Sequence, residues 1–290
     1  MIDGHSHFSV TTMNLNENKL RLEKYKNKLK QYGVSNAVLS INPYIIENYC
    51  NEKHPTKIYD FGEKEIKSIC TKCNKLIYCG DDYFRKYNEV LLNSLYDDTF
   101  SFFLMLSISN NTIQNNIDYF LDKYSFKIKG LKLYTSFASN SLNDINIYNY
   151  GLPCLIHCSK YNNQIPSNMM QFIKNYDGKV ILAHFGCLDY DAIKELKNYE
   201  NVYIDVSPAA TIYKENVVNH TKSCLLNISN INNVNDLYYR LFENFDIDKI
   251  IWGTDYPFSK IEEEISVVRT LKLSKSEYLK ITEKNIKKII

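Results

Sequence analysis

Eight short apolar runs punctuate this chain of 290 residues, and most are followed by a stretch with helical periodicity. The runs are Ile2–Phe8, Val34–Ser40, Thr99–Ser107, Ile128–Tyr134, Pro153–Cys158, Val180–Gly186, Val202–Ser207 and Lys249–Tyr256. Strands that alternate with helices must pair in parallel, because each helix carries the chain back to the same edge. Eight such units in about 250 residues match a closed (β/α)8 TIM barrel. An open doubly wound sheet is the rival, but no glycine-rich phosphate loop follows any run. Helices are expected over Asn14–Gly33, with Gly33 as the stop, and over Asp81–Tyr96, Thr112–Tyr124, Met169–Asn175, Asp189–Lys197, Asn235–Asn244 and Ser274–Ile290. No repeat or linker divides the sequence. It reads as one α/β domain over 1–290, with an insertion after the second strand over 41–80. That insertion is expected to be irregular, with a charged helical piece around Glu63–Cys70.

Composition narrows the function classes. Lys plus Arg is 35 and Asp plus Glu is 33, a net charge of +2, which excludes nucleic-acid binding driven by bulk charge. There is no basic leader running into an apolar segment and no spanning-length apolar stretch, so a cytoplasmic protein without membrane contact is expected. Its eight cysteines are then expected to be reduced, with Cys154, Cys158 and Cys187 acting as small hydrophobes. Cys70, Cys73 and Cys79 suggest a zinc knuckle, but only Cys50 and His54 could complete it, in the wrong order. A loop insertion is the plainer reading.

The chemistry gathers where a barrel keeps its active site, at the C-terminal strand ends. The first strand carries His5 and His7, two positions apart and so on one face, with Asp3 at the same parity. The fourth offers Lys132, the fifth His157, the sixth His184, the seventh Asp205 and the eighth Asp255. Four of the six histidines therefore fall on or at the ends of strands, while His54 and His220 sit in loops. One such histidine could be an ordinary core residue; four with an aspartate are better explained by metal binding. On the fourth strand Leu131 and Leu133 share the face expected to meet the helices, which turns Lys132 into the barrel. A buried lysine needs a carboxylate, a depressed pKa, or conversion to a carbamate. Asp205 and Ser207 could line the pocket or fix a loop, and Trp252 has the parity of a helix-facing residue.

These residues also carry a resemblance. IDGHSHF, GLKLY, CLIHC, VILAHFG and DKIIWGTDYPF, with the ending LSKSEYLKITEKNIKKII, resemble the strand signatures and closing helix of the amidohydrolase superfamily, in its amidohydrolase-related branch. Lys132 stands where nuclease relatives of the same barrel carry glutamate. The resemblance implies a divalent ion, zinc before manganese or iron(II), held by His5, His7, His157 and Asp255. His184 would be a further ligand of a second ion or an orienting base, and Lys132 falls where some relatives bridge two ions through a carbamylated lysine.

The expected activity is metal-dependent hydrolysis of a small-molecule amide, lactone or ester, with Asp255 and His184 as the catalytic pair. The resemblance equally admits a non-oxidative decarboxylase or hydratase on the same site. An anionic substrate would call for an arginine there, and none lies at a strand end. A catalytically silent ligand-binding barrel is the third reading, opposed by the intact ligand set. A homodimer is compatible with the resemblance. The substrate would be chosen by the loops after the strands, whose composition shows no preference.

Overall fold

A computed structural model of the chain describes residues 1–42, 56–60, 66–70, 73–74, 76–108, 113–135, 141–220 and 225–290. Eight parallel strands form one sheet: β1 (Ile2–Phe8), β2 (Asn36–Ile41), β6 (Phe100–Ser107), β7 (Ile128–Tyr134), β8 (Cys154–Ile156), β9 (Val180–Leu182), β10 (Val202–Asp205) and β11 (Ile250–Ile251), in that spatial order. The first and last strands meet through Gly4 N to Trp252 O, His7 N to Tyr256 O and Asp255 N to His5 O. These bonds close the sheet into the expected (β/α)8 barrel.

Two apolar layers hold it. The inner one packs Ile2, Val38, Phe103, Leu155, Ile181, Tyr203 and Ile251 against each other, with Ile286 and Ile289 from the C-terminal segment joining them. The outer one lies between strands and helices and includes Leu131, Leu133 and Trp252, as their parity requires. The flanking helices include α1 (Leu15–Gln31), α2 (Gly80–Ser94), α3 (Ile113–Tyr124), α4 (Met170–Asn175), α5 (Tyr190–Leu196), α6 (Ala209–Tyr213), α7 (Val234–Asn244) and α8 (Ile261–Thr270). Asn14 caps α1 by accepting from Asn16 and Glu17 amides, and Gly33 ends the turn beyond it at φ 78°, a left-handed angle glycine tolerates best.

Three findings differ from the sequence reading. Ile66–Cys70, expected as helix, is the middle strand of an antiparallel sheet formed by β3 (Thr56–Asp60), β4 (Ile66–Cys70) and β5 (Leu76–Cys79). Its backbone pairs on both sides, and cross-strand pairing outweighs the weak helical signal. The C-terminal helix is broken into Lys275–Leu279, a π-helical turn over Lys280–Lys284, and Asn285–Lys287. Helix α8 was not anticipated at all, although Glu262, Glu263 and Glu264 in its first turn suit a helix start. Cys73 is exposed; Cys50 and His54 lie outside the described residues. No helix among the described residues is long and apolar enough to cross a membrane.

Candidate active site

Strand β1 does not keep a strict two-residue alternation. Asp3 faces Ala37 of β2 but Ser6 faces Leu39, so three residues of β1 span two of its neighbour. Such a bulge re-aims side chains. Asp3 is thereby separated from the histidines: its carboxylate accepts from the Thr254 amide at 2.9 Å, the Thr254 hydroxyl at 2.5 Å and the His5 amide at 3.2 Å. Burial pushes its pKa up to about 7, against those bonds. Asp3 ties β1 to the end of β11, and the row of three expected from parity is a row of two.

His5 and His7 converge on Asp255. Their Nε2 atoms are 3.2 Å apart, and Asp255 Oδ1 lies 3.4 Å from the first and 3.2 Å from the second. Hydrogen bonding fixes which ring nitrogens carry protons. His7 Nδ1 lies 2.9 Å from the Ile41 carbonyl, which can only accept, so Nδ1 bears the hydrogen and Nε2 a lone pair. His5 Nδ1 donates to Asp205 Oδ2 at 2.7 Å, and its Nε2 accepts from Lys132 Nζ at 2.9 Å. His184 Nδ1 donates to the Ser207 carbonyl at 2.7 Å, and its Nε2 faces His157 Nδ1 at 3.0 Å.

Three acceptors thus point at one another with no proton to share among them: His5 Nε2, whose hydrogen bond comes from Lys132 outside the trio, His7 Nε2 and Asp255 Oδ1. The last is buried and has no hydrogen-bond partner among the described residues. Buried acceptors left this way are costly unless a cation sits between them. The donor set, two neutral imidazoles and a carboxylate, suits a divalent transition metal.

Burial is the largest influence on the surrounding groups. It lowers the pKa of His5, His157 and His184, keeping the imidazoles neutral as ligands require. It brings Lys132 down to about 8, while Asp255 and Asp205 pull the other way. It pushes Asp205 up to about 8, a shift opposed by Ser207, which donates to it through hydroxyl (2.8 Å) and amide (3.0 Å).

Two of these residues are held in unusual backbone conformations. Asp255 has φ 53°, and His184 begins a left-handed turn in which Phe185, Gly186, Cys187 and Leu188 all have positive φ. Each non-glycine residue there costs roughly 1–3 kcal/mol, a strain that recurs where side chains must be aimed. Gly253 makes room beside them: a Cβ there would lie 2.9 Å from His5 Cβ and 3.1 Å from Asp205 Oδ1.

Of the residues singled out from sequence, His5, His7 and Asp255 form one cluster, and His5, His184 and Asp205 a second. The His5 and His184 rings are 5.3 Å apart. His157 lies in neither cluster; its ring meets His184 edge-on and Tyr134 at a tilt, both with centroids 4.8 Å apart. Lys132 is fully buried and turned toward His5. His220 is exposed and apart from the site, and His54 lies outside the described residues. The sequence alone leaves Asp205 undecided between pocket and loop, although its place at a strand end is a signal. Phe258, whose ring stands edge-on to His7 at 5.6 Å, gave none.

No curated protein matches the chain. Solved structures do resemble its fold. A 2,6-dihydroxybenzoate decarboxylase from Rhizobium is 10% identical with a TM-score of 0.63, covering 99% of this chain and 97% of that one. A dihydroxybenzoic acid decarboxylase from a Polaromonas species, with bound manganese and the inhibitor 2-nitroresorcinol, is 11% identical with a TM-score of 0.61, covering 99% and 96%. A candidate 2-pyrone-4,6-dicarboxylic acid hydrolase from Pseudomonas putida is 16% identical with a TM-score of 0.60, covering 97% and 93%. Residues 125–290, more than half of the sequence and including Lys132, His157, His184, Asp205 and Asp255, match the amidohydrolase family, and the chain belongs to that family.

Proposed function

We propose that this protein is a metal-dependent hydrolase of a small molecule with an amide, lactone or ester bond. The observation that carries the reading is the convergence of His5 Nε2, His7 Nε2 and Asp255 Oδ1, the last without a hydrogen-bond partner among the described residues. A divalent ion held there would polarise the substrate carbonyl and lower the pKa of water to about 7. Zinc and manganese both suit the donors, and a manganese-bearing structure of the same fold supports a divalent ion in general.

Asp255 is the proton carrier. It takes a proton from the attacking water as the new C–O bond forms, and returns it to the leaving nitrogen or oxygen as the scissile bond breaks. His184 has its Nδ1–H committed to Ser207, so Nε2 can only accept. Its role is to orient a donor, which is His157 as the site stands and a water or substrate hydroxyl in its place, rather than to stabilise an oxyanion. His157 Nδ1 donates to that Nε2 and sets its direction, and His157 also bonds the Gln164 side chain. Lys132 decides the number of ions. As an ammonium it competes for the His5 lone pair, and as a carbamate it would bridge two.

A second reading keeps the site and changes the reaction to non-oxidative decarboxylation, with Asp255, once protonated, as the proton donor to carbon. It is favoured by two decarboxylases among the structures of similar fold. The test is elemental analysis of the purified protein, followed by assay of ester, lactone and amide panels beside carbon dioxide release from aromatic acids. Hydrolysis that falls at least a hundredfold in Asp255→Asn supports the first reading. Carbon dioxide release without hydrolysis replaces it, and full turnover in Asp255→Asn removes the assigned proton transfer.

A further inference from the structure

A cleft of about 260 Å³ lies beside His7, between α1 and the segment after β11. Its lining includes Arg21, Lys24 and Lys28 from α1, with Phe8 and Tyr256 as walls. The three cations are three and four residues apart, so they share one face of the helix. Apart from His7, no other ionisable group but Tyr25 and Tyr256 lines the cleft. Two of the cations are steadied by its aromatic walls: Arg21 lies 5.3 Å from the centre of the Phe8 ring and Lys28 lies 5.2 Å from that of Tyr256. Arg21 also donates to the Thr11 hydroxyl, which leaves most of its five N–H groups uncommitted among the described residues.

Acidic compensation is slight. Lys28 reaches Glu262 only at 4.0 Å, and Lys24 makes no ion pair among the described residues. Like charges at this spacing destabilise a helix. Elsewhere on the same helix Lys26 is paired with both Glu23 and Asp97.

We propose that this cleft is an anion subsite, which takes a carboxylate or phosphate carried by the substrate away from its reacting bond. An arginine is absent from the strand ends but is supplied here by a helix, with a planar fork suited to either group. The proposal rests on the reading of His7 as part of the reaction site, but its test needs no turnover.

The test is calorimetric titration of the full-length, metal-loaded protein with inorganic phosphate and, separately, with glutarate, at fixed ionic strength. Arg21→Gln/Lys24→Gln is compared with Lys19→Gln/Lys30→Gln, which removes two exposed charges of the same helix outside the cleft. Saturable binding that weakens at least tenfold in the first variant and less than twofold in the second supports the subsite. The tighter anion then tells phosphate from carboxylate. Absence of saturable binding of either anion, or equal weakening in both variants, overturns it. A hydrolase assay that fails while this binding persists would count against the reaction assigned above and leave the subsite standing.

Discussion

Asp205→Asn separates a metal centre from a merely polar pocket. Asp205 Oδ2 is 2.7 Å from His5 Nδ1, and the carboxylate also receives two bonds from Ser207. The amide keeps the shape and one acceptor but loses the charge. A hydrogen bond to a charged group is worth about 1.5–3 kcal/mol against about 0.5–1.5 for a neutral pair, so roughly 1 kcal/mol of support for His5 disappears. The amide also no longer raises the basicity of Nε2, the atom that faces His7 and Asp255. Partners of this kind typically change metal affinity by about 10–100-fold, and a fall of at least tenfold is expected here. The metal-free protein should respond in the opposite sense. Asp205 is pushed up to about 8 by burial, so between about pH 4 and 8 the unfolded chain ionises it and the folded one resists. That group costs the metal-free fold stability as pH rises through this window, and the asparagine variant removes the cost. The assays are chelator competition for affinity and urea denaturation of the metal-free protein at pH 5 and pH 8. Unchanged affinity with a destabilised metal-free fold would refute the reasoning.

Glu264 offers a similar test away from the ligands. It is buried, accepts from Ser259 Oγ at 2.7 Å and from the Ala210 amide at 3.1 Å, and burial pushes it up to about 8. Stability of the wild type should therefore fall by a few kcal/mol (~1.4 per pH unit at most) between about pH 4.5 and 8, and Glu264→Gln should flatten that profile in denaturant titrations. Parallel profiles would show that the carboxylate ionises freely. Gly253→Ala should press on His5 and Asp205, costing about 1–3 kcal/mol by overpacking and lowering metal content together with stability. A variant with wild-type melting temperature and metal content would show that the strand yields at no cost.

Much of this was legible in the sequence because it depends on local periodicity. The eight strands follow from apolar runs separated by helical pattern, and the inward turn of Lys132 from the parity of Leu131 and Leu133. Other features depend on contacts remote in sequence. Asp3 leaves the face of His5 because of a bulge set by pairing with β2, which nothing in IDGHSHF reveals. Asp205 acquires its role from His5, two hundred residues earlier. Arg21 is brought beside His7 by the docking of α1, not by any strand. The strand at Ile66–Cys70 is stabilised by its neighbours on both sides, which single-segment propensity ignores.

The central claim is that one cation is held jointly by His5, His7 and Asp255. Its most direct test is an anomalous difference map from crystals of the protein purified with manganese or zinc. The account predicts a peak within coordinating reach of His5 Nε2, His7 Nε2 and Asp255 Oδ1. A fully occupied metal elsewhere, or none bound while the three residues keep their present positions, would contradict it.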